Sequence, residues 1–233
     1  MIILISIITA SYNIVIIIST LIIIHEFGHF ICAKILNIDV EKIIIYPLGG
    51  IVKFNMPLNT SKMKELSIII SGPLFQFIAY YILLKYYRND SLVKLYHYNI
   101  LLFNLLPIYP LDGGKLLNLF ISNLIPYKKS LQITIIISYL IVILLLMINY
   151  KNIQLNLIIM SAFLIYKIIK EQKQIKYNYN KFLLERYLNK YNFSKSKIIN
   201  NENDFFRNKR HLIKENDKYY LEEEYLRKKY KKT

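Results

Sequence analysis

Cysteine is almost absent from this chain of 233 residues, where Cys32 stands alone. An intramolecular disulfide framework is therefore excluded. Acidic residues are scarce as well, 15 Asp and Glu against 31 Lys and Arg, for a net charge of +16. Charge of either sign is missing from long stretches. Met1 to Ile24, Leu66 to Leu84 and Leu131 to Asn149 carry none, and neither does the shorter run Asn152 to Tyr166. Leu95 to Leu111 is apolar apart from His97 and several Asn and Pro. No internal repeat and no Gly/Ser linker is visible.

With 55% hydrophobic residues and a mean hydropathy of +0.31, these absences disfavour a soluble globule, a disordered chain and a collagen-like chain. Five apolar runs in the first 170 residues leave too little polar surface to cover a domain in water. A hydrocarbon core of about 30 Å needs roughly 20 helical residues. The runs therefore predict about five to six transmembrane helices, the first 30 residues forming one span or one and a half. The N-terminus has no basic segment ahead of its apolar run and no clear small-residue cleavage site before His25, which argues against a removable signal.

Charge also divides the chain. Residues 1–170 hold 14 Lys/Arg and 6 Asp/Glu, and residues 171–233 hold 17 and 9. The expected fold is an all-α polytopic membrane domain over 1–170, followed by a small basic tail over 171–233. The excess of positive charge places the tail in the cytosol of a cell-membrane protein. The loops Lys115–Ser130 and Asn37–Glu65 fall on the same side, with Lys85, Arg88, Lys94 and Lys151 opposite. Within the second of those loops, Gly49-Gly50 followed by Ile51-Val-Lys-Phe54 predicts a short β-like hairpin. Segments below roughly 50 residues seldom stand alone without disulfides, metals or a partner. The tail thus has three readings: a charged run near anionic headgroups, a segment docked on the membrane domain, or one that pairs with another copy.

Inside the first apolar run lies His25-Glu26-Phe27-Gly28-His29. At i and i+4 the two imidazoles share a helical face and can bind one metal ion. Glu26, beside them, can take a proton from metal-bound water. The competing reading is a helix end whose His and Glu snorkel to the interface, but a glutamate deep in an apolar span is functional by default. A zinc hydrolase needs a third protein ligand. The other acid inside an apolar stretch is Asp112, in Asn104-Leu-Leu-Pro-Ile-Tyr-Pro-Leu-Asp-Gly-Gly114. Pro107 and Pro110 break the helix where backbone can only line a polar cavity. Taken alone, Pro110 to Gly113 is also a plain turn at the end of a span.

Together these segments resemble the signatures of the site-2 intramembrane zinc proteases, and especially their sporulation branch. Tyr46-Pro-Leu-Gly-Gly50 resembles that branch's PFGG loop, Ser71-Gly-Pro-Leu-Phe-Gln76 its AGPLQ segment, and Phe182-Leu-Leu-Glu-Arg-Tyr187 a segment just after its last span. The likeness runs in order from about Ile3 to Tyr187, behind a shortened first span. It implies one Zn²⁺ held by His25, His29 and Asp112, with Glu26 as general base. Asn104 would orient the substrate or polarise its scissile carbonyl, against an equal alternative as a polar residue between helices. Gly49 and Gly50 would let the following strand edge pair with an extended substrate, against an equal alternative as a turn. Ser71, Gly72 and Pro73 read as close helix packing and a kink.

The resemblance further implies a sigma-factor precursor at the membrane as substrate, with membrane inhibitor proteins as partners. Another membrane-anchored regulator or anti-sigma factor is the alternative within the family. A non-catalytic zinc-binding scaffold is the alternative outside it. Relatives end in a cystathionine-β-synthase domain that senses ATP. Residues 188–233 are too short for a complete one, although Phe206 to Ile213 resembles one of its edges, so the tail reads as a remnant and ATP control is not expected. His97 reads as interfacial, His211 as a surface residue and Cys32 as a small packing residue. Basic charge without a recognisable fold for it gives no nucleic-acid partner.

Overall fold

A computed structural model describes residues 12–46, 49–87, 90–152, 154–189, 191–193, 195–215 and 218–231. Residues 1–11 of the expected first span, and Pro47-Leu48 of the glycine loop, lie outside the described residues. The chain is mostly helical and divides into two compact units, residues 1–56 with 61–106 and residues 57–60 with 107–233.

In the first unit, α1 (Tyr12–Ile35) buries Ile17, Leu21, His25, Gly28, His29 and Ala33. Nearly every fourth residue is buried, so one stripe of the helix faces inward. Asn37 ends the helix in the left-handed region at φ 55°, and the Ile38 N–H closes back onto the Ala33 carbonyl at 2.8 Å. β1 (Val40–Tyr46) and β2 (Gly49–Phe54) then form the expected antiparallel hairpin, with Gly50 opposite Ile45 and Gly49 opposite Tyr46. α2 (Lys62–Tyr86) packs along α1, and α3 (Asp90–Leu105) packs on both. The α1–α2 crossing depends on Gly28. A Cβ there would stand 2.6 Å from the Ser71 carbonyl oxygen and 2.7 Å from Phe75 Cβ. Ile17, Leu21, Ala79, Leu83 and Val93 fill the centre of this bundle.

The second unit begins, after the break at Pro107, with α4 (Asp112–Leu124) and α5 (Tyr127–Ile148), followed by α6 (Leu155–Leu188). On α5 the packed side mixes Leu131, Ile135 and Val142 with Ser130, Thr134 and Ser138, each hydroxyl donating to a carbonyl three or four residues back. Asn118 of α4 donates its amide to Thr134 at 3.1 Å. Its outward side is Ile136, Leu140, Ile143, Leu144 and Met147, all more than half exposed. A helix whose outside is greasier than its inside requires an apolar surround, which water does not supply.

Among the described residues three helices, α1, α2 and α5, are long and apolar enough to cross a membrane, against the five to six expected from the apolar runs. Leu95–Leu111 is not one helix: α3 stops at Leu105 ahead of Pro107, after 16 residues, and α4 runs for only 13. At 1.5 Å per residue these reach about 24 Å and 20 Å, short of a hydrocarbon core of about 30 Å. The apolar run from Asn152 to Tyr166 is absorbed into the start of the 34-residue α6.

Glu171 lies inside α6, so no break in the backbone marks the change in composition. Beyond α6 the basic tail is folded. β3 (Ser196–Ile199) pairs parallel with β4 (Arg210–Glu215), which pairs antiparallel with β5 (Lys218–Leu221), and α7 (Glu222–Lys231) follows. Ile199, Phe205, Ile213 and Leu226 join Tyr127 and Leu131 of α5 and Tyr179, Phe182 and Leu183 of α6 in one core. A tail too small to enclose its own core thus borrows one from the helices before it.

Arg186 is the polar hub of this unit. Its five N–H groups donate to Asn59 Oδ1, the carbonyls of Lys209, Phe206 and Arg207, and Glu222 Oε1. That exhausts the donors of a guanidinium. His211, expected at the surface, is fully buried beside it. Its Nδ1 donates to Glu222 Oε2 at 3.0 Å and its Nε2 accepts the Phe206 N–H at 3.0 Å. Burial lowers the His211 pKa below its ordinary value, despite the pull of Glu222. Burial alone would raise Glu222, but its bonds to His211 and Arg186 together hold it below the usual carboxylate range.

Candidate metal centre

His25 and His29 project from the buried stripe of α1 and are 2% and 4% exposed. Each ring is held at Nδ1. His29 Nδ1 lies 2.7 Å from the Ile68 carbonyl oxygen of α2, which can only accept, so the proton sits on Nδ1. His25 Nδ1 lies 3.0 Å from Gln76 Oε1. The Gln76 amide is oriented in turn by its Nε2, which donates to the His97 carbonyl at 3.0 Å. Oxygen must therefore face His25, and His25 also carries its proton on Nδ1. His97, expected at an interface, is fully buried here and stacks on Tyr80 with ring centroids 4.3 Å apart.

The consequence is that both Nε2 atoms present lone pairs. They lie 3.2 Å apart, with ring planes at 83°. Two acceptors cannot bond one another, and the arrangement suits a shared cation. At Zn–N distances of about 2.0–2.1 Å, that separation corresponds to an N–Zn–N angle of about 100°, near tetrahedral. Space is provided as well. A Cβ on Gly72 of α2 would collide with His29 Cε1 and Nε2 and stand 2.9 Å from His25 Nε2. Glycine leaves that volume open beside both ligand atoms.

Glu26 follows His25 on α1 and is half-buried. Asp112 is the first residue of α4, 4% exposed, and pairs with the Lys115 ammonium at 2.9 Å. The N-terminal end of a helix favours a carboxylate there. His25, His29 and Asp112 are each buried, and each carries an atom able to ligate a metal ion. Asn104 sits half-buried in the last turn of α3, and Gly49 and Gly50 open β2. The motif reading missed Gln76, Gly72 and the Ile68 carbonyl. Gly72, expected at a close helix contact, lies where α2 passes the two imidazoles of α1. The only sequence signal for Gly72 and Gln76 was their place in one short segment, Ser71-Gly-Pro-Leu-Phe-Gln76, and Ile68 lies ahead of it.

Two imidazoles thus stand on one face of a membrane-length helix, with a glutamate beside them. Residues 13–88 and 91–148 match peptidase family M50, and the chain belongs to that family, the site-2 proteases. It is 32% identical over 176 residues to stage IV sporulation protein FB of Bacillus subtilis, across 72% of this chain and 61% of that protein. It is 30% identical over 165 residues to a zinc metalloprotease of Methanocaldococcus jannaschii, across 66% of this chain and 48% of that protein. The chain thus spans between about half and three fifths of these relatives. The solved site-2 protease from Methanocaldococcus jannaschii superposes with a TM-score of 0.57 at 28% identity, covering 72% of this chain and 82% of that one.

Proposed function

We propose that the chain is an intramembrane zinc metallopeptidase in which His25, His29 and Asp112 hold one Zn²⁺ and Glu26 is the general base. The observation that carries this reading is the pair of Nε2 lone pairs 3.2 Å apart, each fixed by a partner at Nδ1. A bound zinc ion supplies Lewis acidity, polarising a carbonyl and lowering the pKa of a water towards about 7. The Glu26 carboxylate then takes the proton of the attacking water and returns it to the departing amide nitrogen. Asn104 orients the scissile segment, and the β2 edge beginning at Gly49-Gly50 pairs with an unwound substrate strand. Residues 1–170 form the membrane-embedded catalytic part, and the basic tail faces the cytosol.

The similarity to a sporulation protein supports a substrate processed during sporulation, a membrane-associated sigma-factor precursor, in a cell-membrane setting where inhibitor proteins can act. Co-expression with such a precursor tests this directly. Wild type should shorten it, and Glu26→Gln should abolish cleavage while keeping its zinc. Normal turnover by Glu26→Gln would remove Glu26 from the mechanism. Zinc binding without cleavage of any membrane-anchored regulator would make the chain a scaffold. Cleavage of another anchored regulator but not of the precursor would keep the enzyme and change the substrate.

A further inference from the structure

A cavity of about 980 Å³ opens between α5 and α6, well apart in the sequence from the histidine motif. Its lining includes five ammonium groups, Lys128 and Lys129 of α5, Lys173 and Lys176 of α6 and Lys229 of α7, against one carboxylate, Glu202. Three of the five are satisfied by the tail. Lys128 donates to Asn203 Oδ1 at 2.7 Å, Lys129 pairs with Asp204 at 2.9 Å and Lys229 pairs with Glu202. Among the described residues Lys173 and Lys176 have no hydrogen-bond or ion-pair partner, and both are exposed. Converging like charges on two helices repel one another unless an anion lies between them.

The rest of the lining has another character. Ile133 and Ile136 are 39% and 57% exposed and sit one to two turns further along α5 than Lys129. At 1.5 Å per residue, Lys129 and Ile136 are about 10 Å apart along the axis. α5 is one of the helices able to cross a membrane, so the cavity runs from its charged first turn into its apolar body. We propose that this cavity binds an anionic phospholipid, its phosphate between Lys173, Lys176 and the α5 lysines and the start of an acyl chain against Ile133 and Ile136. A free phosphate would use only the charged end. Basic pockets between membrane helices are suited to such headgroups.

The test is native mass spectrometry of the full chain, purified and delipidated in detergent, titrated with phosphatidylglycerol, phosphatidylcholine or inorganic phosphate. Phosphatidylglycerol should remain bound and phosphatidylcholine should not, and millimolar phosphate should fail to displace the lipid. A Lys173→Gln, Lys176→Gln double variant should weaken phosphatidylglycerol roughly tenfold to thirtyfold. Lys195→Gln with Lys218→Gln makes the same change in net charge outside the cavity and should leave binding unchanged. Equal weakening by both pairs would reduce the effect to general charge attraction and overturn the site. Displacement by phosphate would make it a free-anion site, and equal retention of phosphatidylcholine would remove the role of charge. Both target lysines are exposed, and an unchanged melting temperature confirms that the variants are folded.

Discussion

Gln76→Leu separates the support of a zinc ligand from the ligand itself. In the wild type, Gln76 Oε1 accepts from His25 Nδ1 at 3.0 Å, and the glutamine is fully buried. Leucine is close in size but accepts nothing. The metal-free variant then has a new choice: the proton moves to His25 Nε2 and donates to His29 Nε2, already 3.2 Å away. That bond contributes about 0.5–1.5 kcal/mol to the empty state, and zinc must break it before binding. An unpaired Nδ1–H in the loaded state costs about 1–3 kcal/mol more. Together these are about 1.5–4.5 kcal/mol, and since 1.4 kcal/mol is tenfold in a dissociation constant, zinc affinity should fall roughly 10- to 1,000-fold. Competition with a chelator of known affinity, on purified protein with unchanged helical circular dichroism, gives the number. Gln76→Glu should keep zinc within a few-fold, because a carboxylate also accepts from Nδ1, although it loses the donor to the His97 carbonyl. A folded Gln76→Leu protein that binds zinc as tightly as wild type would refute the argument that Gln76 fixes the tautomer.

Gly72→Ala should remove zinc binding while leaving α2 intact, because its methyl group takes the space beside both Nε2 atoms; atomic absorption on the folded variant decides this. Acidification should loosen the tail. His211 and Glu222 are both held below their ordinary values of 6.5 and 4.5, so the unfolded chain binds their protons more readily. Their stabilisation is complete above about pH 6.5 and is lost as pH falls, first through His211 and then below about 4.5 through Glu222. Hydrogen exchange at the β4 amides reads this, and equal protection at pH 7 and pH 4 would contradict it. Deleting residues 194–233 strips Ile199, Phe205, Ile213 and Leu226 from the core around Phe182, each large side chain being worth about 2–5 kcal/mol, so the shortened chain should melt at a lower temperature. Cleavage by the full chain should be indifferent to ATP, and tight, saturable ATP binding would be the contrary result. Single cysteines at Lys62, Lys128 and Lys195, in a Cys32→Ser background, should all label from one side of the membrane.

What the sequence made legible follows from distance along the chain. His25 and His29 lie one helical turn apart, so spacing alone places them on one face of α1. The hairpin is equally local, two strands joined at Tyr46 to Gly49. Gln76 and the Ile68 carbonyl act on the same imidazoles from 39 to 51 residues away, and no periodicity in α2 marks a glutamine as a hydrogen-bond acceptor for another helix. Apolar runs and helices fail to coincide for a related reason. Apolar runs report solubility in lipid, whereas the length of a helix also depends on breaks such as Pro107. The strands of the tail were not legible because β3 and β5 are four residues long and their core partners, Tyr127 and Phe182, belong to other segments. His211 and His97 looked peripheral because a single polar residue gives no sign of the rings and carbonyls that will enclose it.

The short segment 57–60 carries a consequence for how the protein is made. Leu58 N–H donates to Glu185 Oε2 at 2.7 Å, the Asn59 side chain donates to the Phe182 carbonyl, and Arg186 donates to Asn59 Oδ1. These partners lie as many as 127 residues later in the chain. At about 5–20 residues per second, a ribosome needs roughly 6–25 s after finishing Asn59 before Arg186 exists. Throughout that interval the nascent chain holds an amide with no guanidinium to meet and a turn with no carboxylate to close it. A message truncated anywhere before codon 186 therefore yields a chain in which this turn can never close, and quality-control proteases would find it open.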